Sequence, residues 1–217
     1  MKYKNILFDL DGTLTDSKPG IVNSLRFALQ YSGMDTDNMN LDKFIGPPIM
    51  DTFVNTMGLN HQKAEEITKI YRENYSKTGI YENSLYEGII EMLAYLKQNG
   101  HTVIIATAKP MPFTKIVLDH FNIFQYFSYI SASEFEHAFE TKQRIIENAL
   151  EKCNINDLNT AVMIGDRKYD IIAAKNVGIA SIGVLYGYGD YDELSEAGAD
   201  YLVENIQDLL KIIKGSN

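Results

Sequence analysis

Between positions 6 and 14 the sequence reads Ile-Leu-Phe-Asp-Leu-Asp-Gly-Thr-Leu, an apolar run that ends in two carboxylates, Asp9 and Asp11. Successive side chains of a β-strand point to opposite faces, so residues two apart return to the same side. The run therefore predicts a buried strand over 4–10 whose end brings Asp9 and Asp11 together. The Asp-Gly pair at 11 and 12 is also common in hairpins, but the residues that follow do not form a second strand pattern.

The rest of the chain predicts an α/β fold. Short apolar segments typical of buried strands alternate with segments of helical periodicity. The predicted strands after the first are 102–106, 126–131, 161–164 and 180–184, and the predicted helices between and after them are 88–99, 112–121, 142–152, 169–177 and 206–213. Such alternation indicates a doubly wound, Rossmann-like parallel sheet with helices on both faces.

One block departs from this alternation. Residues 19–31 and 41–76 show helical patterns without a convincing strand, with Gly46-Pro47-Pro48 as a break between helices. We therefore predict two domains, an α/β core formed by 1–15 and 83–217 and an inserted all-helical domain formed by 16–82.

Composition limits the classes of function. The 217 residues, 45% of them apolar, are enough for a substantial core. A formal net charge of −9 and a pI near 4.9 argue against general nucleic-acid binding, which requires a cationic surface. No stretch has the length of a membrane span and no signal-peptide pattern precedes the first strand, so we expect a cytoplasmic protein. The single cysteine, Cys153, is interpreted as a small apolar residue of the interior.

Polar residues follow three of the predicted strands. Asp9 and Asp11 end the first, Thr107-Ala108-Lys109 the second, and Gly165-Asp166 a third, with Asp170 four residues further on. Each has a structural explanation in isolation, such as a helix cap for Asp166 or surface charge for Lys109. Open parallel sheets, however, bind ligands at the carboxyl ends of their strands. The joint occurrence therefore predicts a functional site at that edge of the sheet.

These residues resemble a known family. Asp9-Leu10-Asp11-Gly12-Thr13-Leu14, Thr107, Lys142 and Gly165-Asp166-x-x-x-Asp170 are similar to the four ordered motifs of the haloacid dehalogenase superfamily. The helical block between the first two motifs resembles the cap of its phosphoglycolate phosphatase-like branch. The later run 182–189, which ends in Tyr186-Gly187-Tyr188-Gly189, is similar to that branch as well.

The resemblance implies a Mg²⁺-dependent phosphatase that acts on a small-molecule phosphate monoester. Asp9 would attack phosphorus and form an aspartyl-phosphate, and Asp11 would protonate the leaving oxygen and later activate water. Mg²⁺ would be bound by the side chains of Asp9 and Asp166 and the backbone carbonyl of Asp11. Asp170 would support these ligands or replace one of them.

Phosphate binding is implied for Thr107, for the backbone N–H of Ala108 and for Lys142. Ala108 departs from the family, which more often has a polar residue there. Lys142 opens a predicted helix, where its charge opposes the helix dipole unless an anion lies nearby. Lys109, directly after the strand that carries Thr107, is the rival for the same role.

Alternatives remain at this point. Asp11 argues against a dehalogenase, which needs no acid for its leaving group, but a sugar phosphomutase would share all four motifs, and a non-catalytic binding module is a third class. Phosphoglycolate, nucleoside monophosphates, pyrophosphate and sugar phosphates all stay open as substrates. We expect no nucleic-acid or membrane partner, and a monomer or a homodimer.

Overall fold

The computed structural model describes residues 2–46, 49–134 and 141–215. Its chain divides into two compact units, one formed by Met1–Asp16 and Leu85–Asn217 and the other by Ser17–Ser84. The boundaries differ from the predicted ones by one or two residues. The roles of the units as catalytic core and cap stay a prediction. Pro47 and Pro48, in the predicted break between helices, lie outside the described residues.

The larger unit contains a six-stranded parallel sheet in the order β5-β4-β1-β6-β7-β8. Its strands are β1 (Asn5–Phe8), β4 (Thr102–Pro110), β5 (Tyr129–Ser133), β6 (Ala161–Gly165), β7 (Ala180–Val184) and β8 (Tyr201–Val203). Two short strands, β2 (Thr15–Asp16) and β3 (Ser84–Leu85), lie where the chain passes between the units. The predicted Rossmann-like α/β class is confirmed.

The register brings three strand ends to one level. Phe8, the last residue of β1, pairs with Ile105 of β4 on one side and Ile164 of β6 on the other. Asp9, the residue after Phe8, therefore lies at the same level as Gly165, the last residue of β6, which Asp166 follows. Strand β4 continues further, with an irregularity in its register between Thr107 and Pro110.

Helices cover the sheet because each carries one apolar face. They are α4 (Ile89–Gln98), α5 (Met111–His120), α6 (Lys142–Lys152), α7 (Lys168–Val177), α8 (Tyr191–Glu196) and α9 (Ile206–Lys214). In α6, for example, Ile145, Ile146 and Ala149 are buried in one cluster with residues of β1, β4 and β6. Burying each isoleucine side chain stabilises the fold by about 1.5–3 kcal/mol. This packing fixes the position of α6, whose first residue is Lys142.

The smaller unit is helical. It contains α1 (Lys18–Tyr31), a 3₁₀ turn (Leu41–Phe44), α2 (Ile49–Asp51), a π-helical turn (Thr52–Thr56), α3 (His61–Lys77) and a second 3₁₀ turn (Gly79–Tyr81). Leu25 and Leu29 of α1 share a buried cluster with Phe53 and with Ile67 of α3. A Cβ at Gly20 would lie 1.8 Å from the carbonyl oxygen of Gly79, so only glycine allows this close approach.

Helix α8 and strand β8 were not predicted from the sequence. Both are short, and a strand of three residues has too few side chains to show an alternating pattern. Within the described part of the chain, no helix combines the length and apolar character that crossing a membrane requires.

Candidate active site

Asp9 is held at the end of the central strand by its own backbone. Its N–H donates to the carbonyl oxygen of Ile164 at 2.9 Å, which extends the pairing with β6 by one residue. Its Oδ1 accepts the N–H of Leu10 at 2.7 Å. The other carboxylate oxygen, Oδ2, lies 3.0 Å from Nζ of Lys142. One oxygen is thus fixed by the backbone and the other faces a cation.

The turn after the strand brings the chain against Asp166. Gly12 has a φ of +82°, and a Cβ there would lie 2.1 Å from Oδ2 of Asp166. Glycine is required at this position for both reasons. The next residue, Thr13, donates its hydroxyl to Oδ1 of Asp166 at 3.1 Å. Gly12 therefore leaves space for the Asp166 carboxylate, and Thr13 orients it.

Asp166 is completely buried. Besides the Thr13 hydroxyl, the backbone N–H of Tyr188 donates to its Oδ2 at 3.0 Å. Burial, with the neighbouring carboxylates of Asp170 and Asp9, raises the pKa of Asp166 to about 8. A carboxyl group in this position is stabilised by a proton or by a nearby cation.

Lys142 joins two of the carboxylates. It is the first residue of α6, whose N-cap, Thr141, accepts the N–H of Arg144 at 3.3 Å. Its Nζ lies 3.0 Å from Asp9 Oδ2 and 2.7 Å from Asp170 Oδ1. Burial lowers the pKa of Lys142, but the carboxylates of Asp170 and Asp9 outweigh that effect and the net shift is upward. The ammonium group therefore stays charged between two anions.

Asp170 is held from both ends. Its Oδ2 accepts the N–H of Arg167 at 3.2 Å, one turn earlier in the chain. Burial raises the pKa of Asp170 to about 6, against the opposing effect of the Lys142 ammonium. Gly165 leaves room for this side chain, since a Cβ there would lie 2.2 Å from the carboxyl carbon of Asp170.

Lys109 contacts the second aspartate of the first motif. Its Nζ lies 2.8 Å from Oδ2 and 3.1 Å from Oδ1 of Asp11, and both side chains are largely buried. From the sequence, Lys142 and Lys109 are rivals for phosphate binding. In the structure they lie at different carboxylates, since Lys142 contacts Asp9 and Asp170 whereas Lys109 contacts Asp11. The irregularity of β4 between Thr107 and Pro110 separates Lys109 from the regular strand.

The remaining predicted residues lie on the same segment. Thr107 is 2% exposed and its Oγ1 accepts the N–H of Lys109 at 3.2 Å. The carbonyl oxygen of Ala108 accepts the hydroxyl of Ser133 at 2.6 Å, which ties this segment to β5. The Ala108 methyl group is exposed.

The carboxylates fit a divalent cation. Asp9, Asp166 and Asp170 each offer an oxygen, and these atoms lie within 4.8 Å of one another. Oxygen ligands of this kind are those that Mg²⁺ prefers. With Asp11 included, the site has two more carboxyl groups than ammonium groups, and the raised pKa of Asp166 indicates that its negative charge is not compensated. A dication would correct both.

Sequence reasoning missed part of this site. It did not anticipate the Thr13 hydroxyl or the Tyr188 N–H as donors to Asp166, or Lys109 as the partner of Asp11. The available signal was the Tyr-Gly-Tyr-Gly run at 186–189, directly after a strand. Closely spaced glycines at a strand end indicate that the backbone approaches another group.

Comparison with known proteins agrees with this geometry. Residues 6–184 match the model of the family described as haloacid dehalogenase-like hydrolase. A 5'-nucleotidase of Pseudomonas aeruginosa is 41% identical over 195 residues, 89% of this chain and 88% of that protein. The crystal structure of a "predicted phosphatase" from Clostridium acetobutylicum is 39% identical with a TM-score of 0.93, covering 99% of this chain and 100% of that one.

The relatives do not all have phosphatase names. The Tyrosine-protein kinase PtkA of Mycobacterium tuberculosis is 38% identical over 188 residues, which are 86% of this chain and 64% of that protein. Phosphoglycolate phosphatases of Vibrio species are also among the relatives, as the resemblance to that branch implies. The family match covers most of the chain and includes every strand that ends at the site. The chain belongs to the haloacid dehalogenase-like hydrolase family, as an enzyme of its phosphatase type.

Proposed function

We propose that the protein hydrolyses a small-molecule phosphate monoester in a Mg²⁺-dependent reaction that passes through an aspartyl-phosphate on Asp9. The observation that carries this proposal is the convergence of Asp9, Asp166 and Asp170 within 4.8 Å, beside the ammonium group of Lys142. A phosphate monoester is a dianion, so an anionic nucleophile can approach it only where positive charge is concentrated.

Each residue of the site has its own role in this proposal. Asp9, whose Oδ1 is held by the N–H of Leu10, attacks phosphorus with its other oxygen. Asp9, Asp166 and the carbonyl of Asp11 would hold Mg²⁺, which when bound would supply positive charge at the transferring group, and Asp170 would support these ligands. Lys142, beside Asp9, adds a fixed charge. Thr107 and the N–H of Ala108 bind the phosphate oxygens.

Asp11 is the general acid and base in this proposal. It protonates the leaving oxygen in the first step and takes a proton from water in the second. Lys109 contacts both of its carboxylate oxygens, and each oxygen keeps a further lone pair for the proton that this role requires. Its ammonium group beside Asp11, with that of Lys142 beside Asp9, places two positive charges where the phosphate dianion would bind.

The proposed substrates follow the relatives and the charge of the site. A nucleoside monophosphate and phosphoglycolate are the first candidates, because relatives carry the names 5'-nucleotidase and phosphoglycolate phosphatase. Pyrophosphate and sugar phosphates complete the set. The helical unit, Ser17–Ser84, is proposed as the cap that excludes water and selects the leaving group.

The test is release of inorganic phosphate from this panel, with Mg²⁺ and with a chelator. Asp9→Asn removes the nucleophile and should lower kcat by about 10⁴-fold or more. Asp208→Asn, which removes an exposed carboxylate on α9, is the control and should leave kcat unchanged. Activity that survives both the chelator and Asp9→Asn would refute the proposed mechanism.

The same assay separates the alternatives. A sugar phosphomutase would convert a hexose 1-phosphate into its 6-phosphate without free phosphate. A binding module would release no phosphate from any compound yet bind a partner tightly. Rapid quenching followed by mass spectrometry tests the intermediate directly. A phosphate group found on Asp9 would support the aspartyl-phosphate.

A further inference from the structure

The loop that follows β7 contacts Asp166 through its backbone. The N–H of Tyr188 donates to Asp166 Oδ2 at 3.0 Å, and the N–H of Gly189 donates to the Asp166 carbonyl at 3.1 Å. A Cβ at Gly187 would lie 2.3 Å from Asp166 Cβ, and one at Gly189 would lie 2.1 Å from the Asp166 carbonyl oxygen. The absence of a side chain at both glycines therefore allows this backbone to approach Asp166.

The tyrosines of the loop attach it to the segment after the first motif. Tyr186 donates its hydroxyl to the carbonyl oxygen of Thr13 at 3.0 Å, and Tyr188 donates to Oδ1 of Asp16 at 3.1 Å. The rings of Tyr86 and Tyr186 pack 4.9 Å apart, and a side-chain hydrogen bond joins Tyr86 to Tyr188. Burial raises the pKa of Tyr186, so its phenol stays a neutral donor.

Tyr188 is thus bonded at both ends. Its backbone holds one oxygen of Asp166, while its phenol, 3.1 Å from Asp16, fixes the loop relative to the turn. That turn carries Thr13, which holds the other oxygen of Asp166. The loop and the turn, joined by this contact, therefore each supply one donor to the carboxylate.

We propose that Tyr188 is a positioning residue for the metal site, whose phenol, through its hydrogen bond to Asp16, keeps the Asp166 carboxylate oriented for Mg²⁺. The inference rests on the metal site of the proposed function. It assigns to the loop a role in metal affinity that is separate from the chemistry of Asp9 and Asp11. Partners that orient a metal ligand typically change affinity about 10–100-fold when they are removed.

The test measures Mg²⁺ affinity directly, from the dependence of Tm on Mg²⁺ concentration. Tyr188→Phe keeps the ring and the backbone N–H and removes only the hydroxyl group. It should weaken Mg²⁺ binding about 10-fold. With a substrate that the wild type hydrolyses, kcat should fall at limiting Mg²⁺ and recover at saturating Mg²⁺, a rescue that a general loss of stability would not produce.

Variants of Asp16 test the same bond from the other end. Asp16→Ala should weaken Mg²⁺ binding as much as Tyr188→Phe, and the double variant should lose no more than either single one. Asp16→Asn removes the charge but keeps an acceptor oxygen, so it should stay close to wild type. Tyr129→Phe is the matched control, because it removes a tyrosine hydroxyl of β5 that accepts the side-chain amide of Asn148 in α6 at 3.5 Å.

Wild-type Mg²⁺ affinity in Tyr188→Phe would overturn the inference, as would an equal loss in the Tyr129 control. An Asp16→Asn variant as weak as Asp16→Ala would also overturn it, because charge rather than the hydrogen bond would then be responsible. If the wild type binds Mg²⁺ but hydrolyses no phosphate ester, the proposed function fails while the comparison of affinities still decides the role of Tyr188.

Discussion

Replacing Lys142 by methionine tests the electrostatics of the site through stability alone. The ammonium group lies 2.7 Å from Asp170 and 3.0 Å from Asp9, with the Lys142 side chain 8% exposed and that of Asp170 1% exposed. Methionine fills similar space but leaves these carboxylates without their cation. Removing one partner of a buried ion pair costs about 3–5 kcal/mol, because the remaining charge is uncompensated.

The free energy of unfolding, measured in urea with a chelator present, provides the assay. The matched control is Lys211→Met, because Lys211 also lies 2.7 Å from its partner, Asp208, but with side chains 65% and 42% exposed. An exposed pair of this kind contributes far less, because water and salt screen it. Each variant removes an ion pair with a distance of 2.7 Å, so the difference between them measures the effect of burial together with that of the second carboxylate, Asp9.

A second substitution identifies the cause of the loss. In Lys142→Met, changing Asp170 to Asn removes the uncompensated charge but keeps an oxygen for the N–H of Arg167. At least half of the lost stability should return. The reasoning is refuted if Lys142→Met costs no more than Lys211→Met, or if Asp170→Asn lowers stability further.

Three further predictions concern other parts of the fold. Gly187→Ala places a methyl group 2.3 Å from both Asp166 Cβ and the Gly12 carbonyl oxygen, and should cost about 1–3 kcal/mol in urea unfolding; a cost below about 0.3 kcal/mol would contradict this packing. Burial lowers the pKa of His101, so stability present above the ordinary histidine pKa should be lost as pH falls toward the folded value. The fall in unfolding free energy between about pH 7.5 and 5.5 should therefore be smaller in His101→Gln than in wild type. Burial also raises the pKa of the Cys153 thiol, so a disulfide reagent near pH 8 should react with the folded protein more slowly than with the chain in urea.

The sequence predicted the residues at the strand ends because parallel strands place their carboxyl ends at one edge. Asp9 and Asp166 needed only the position of β1 and β6, which apolar runs define well. Lys142 was placed correctly at the start of α6, and the structure adds that it lies against Asp9 and Asp170. Local pattern and fold class were sufficient for these positions.

The rest depends on contacts that no local pattern encodes. Whether Lys109 reaches Asp11 depends on the irregular register of β4 after Thr107, which changes the direction of the following side chains. The hold of Tyr188 on Asp166 uses a backbone N–H, which every residue except proline possesses, so residue type gives no signal. The strand β8 was missed because it consists of three residues that pair through their backbone.

The central place of β1 has a consequence for how the chain acquires its fold. During synthesis β1 is made before both of its neighbours, because Phe8 pairs with Ile105 of β4 and with Ile164 of β6. Contacts between residues so distant in sequence form slowly and leave apolar strands exposed meanwhile. The helical unit, 17–84, is made before either neighbour. Asp9, at the end of β1, is therefore made before both flanking strands and reaches its place in the complete sheet only after β6 has been made.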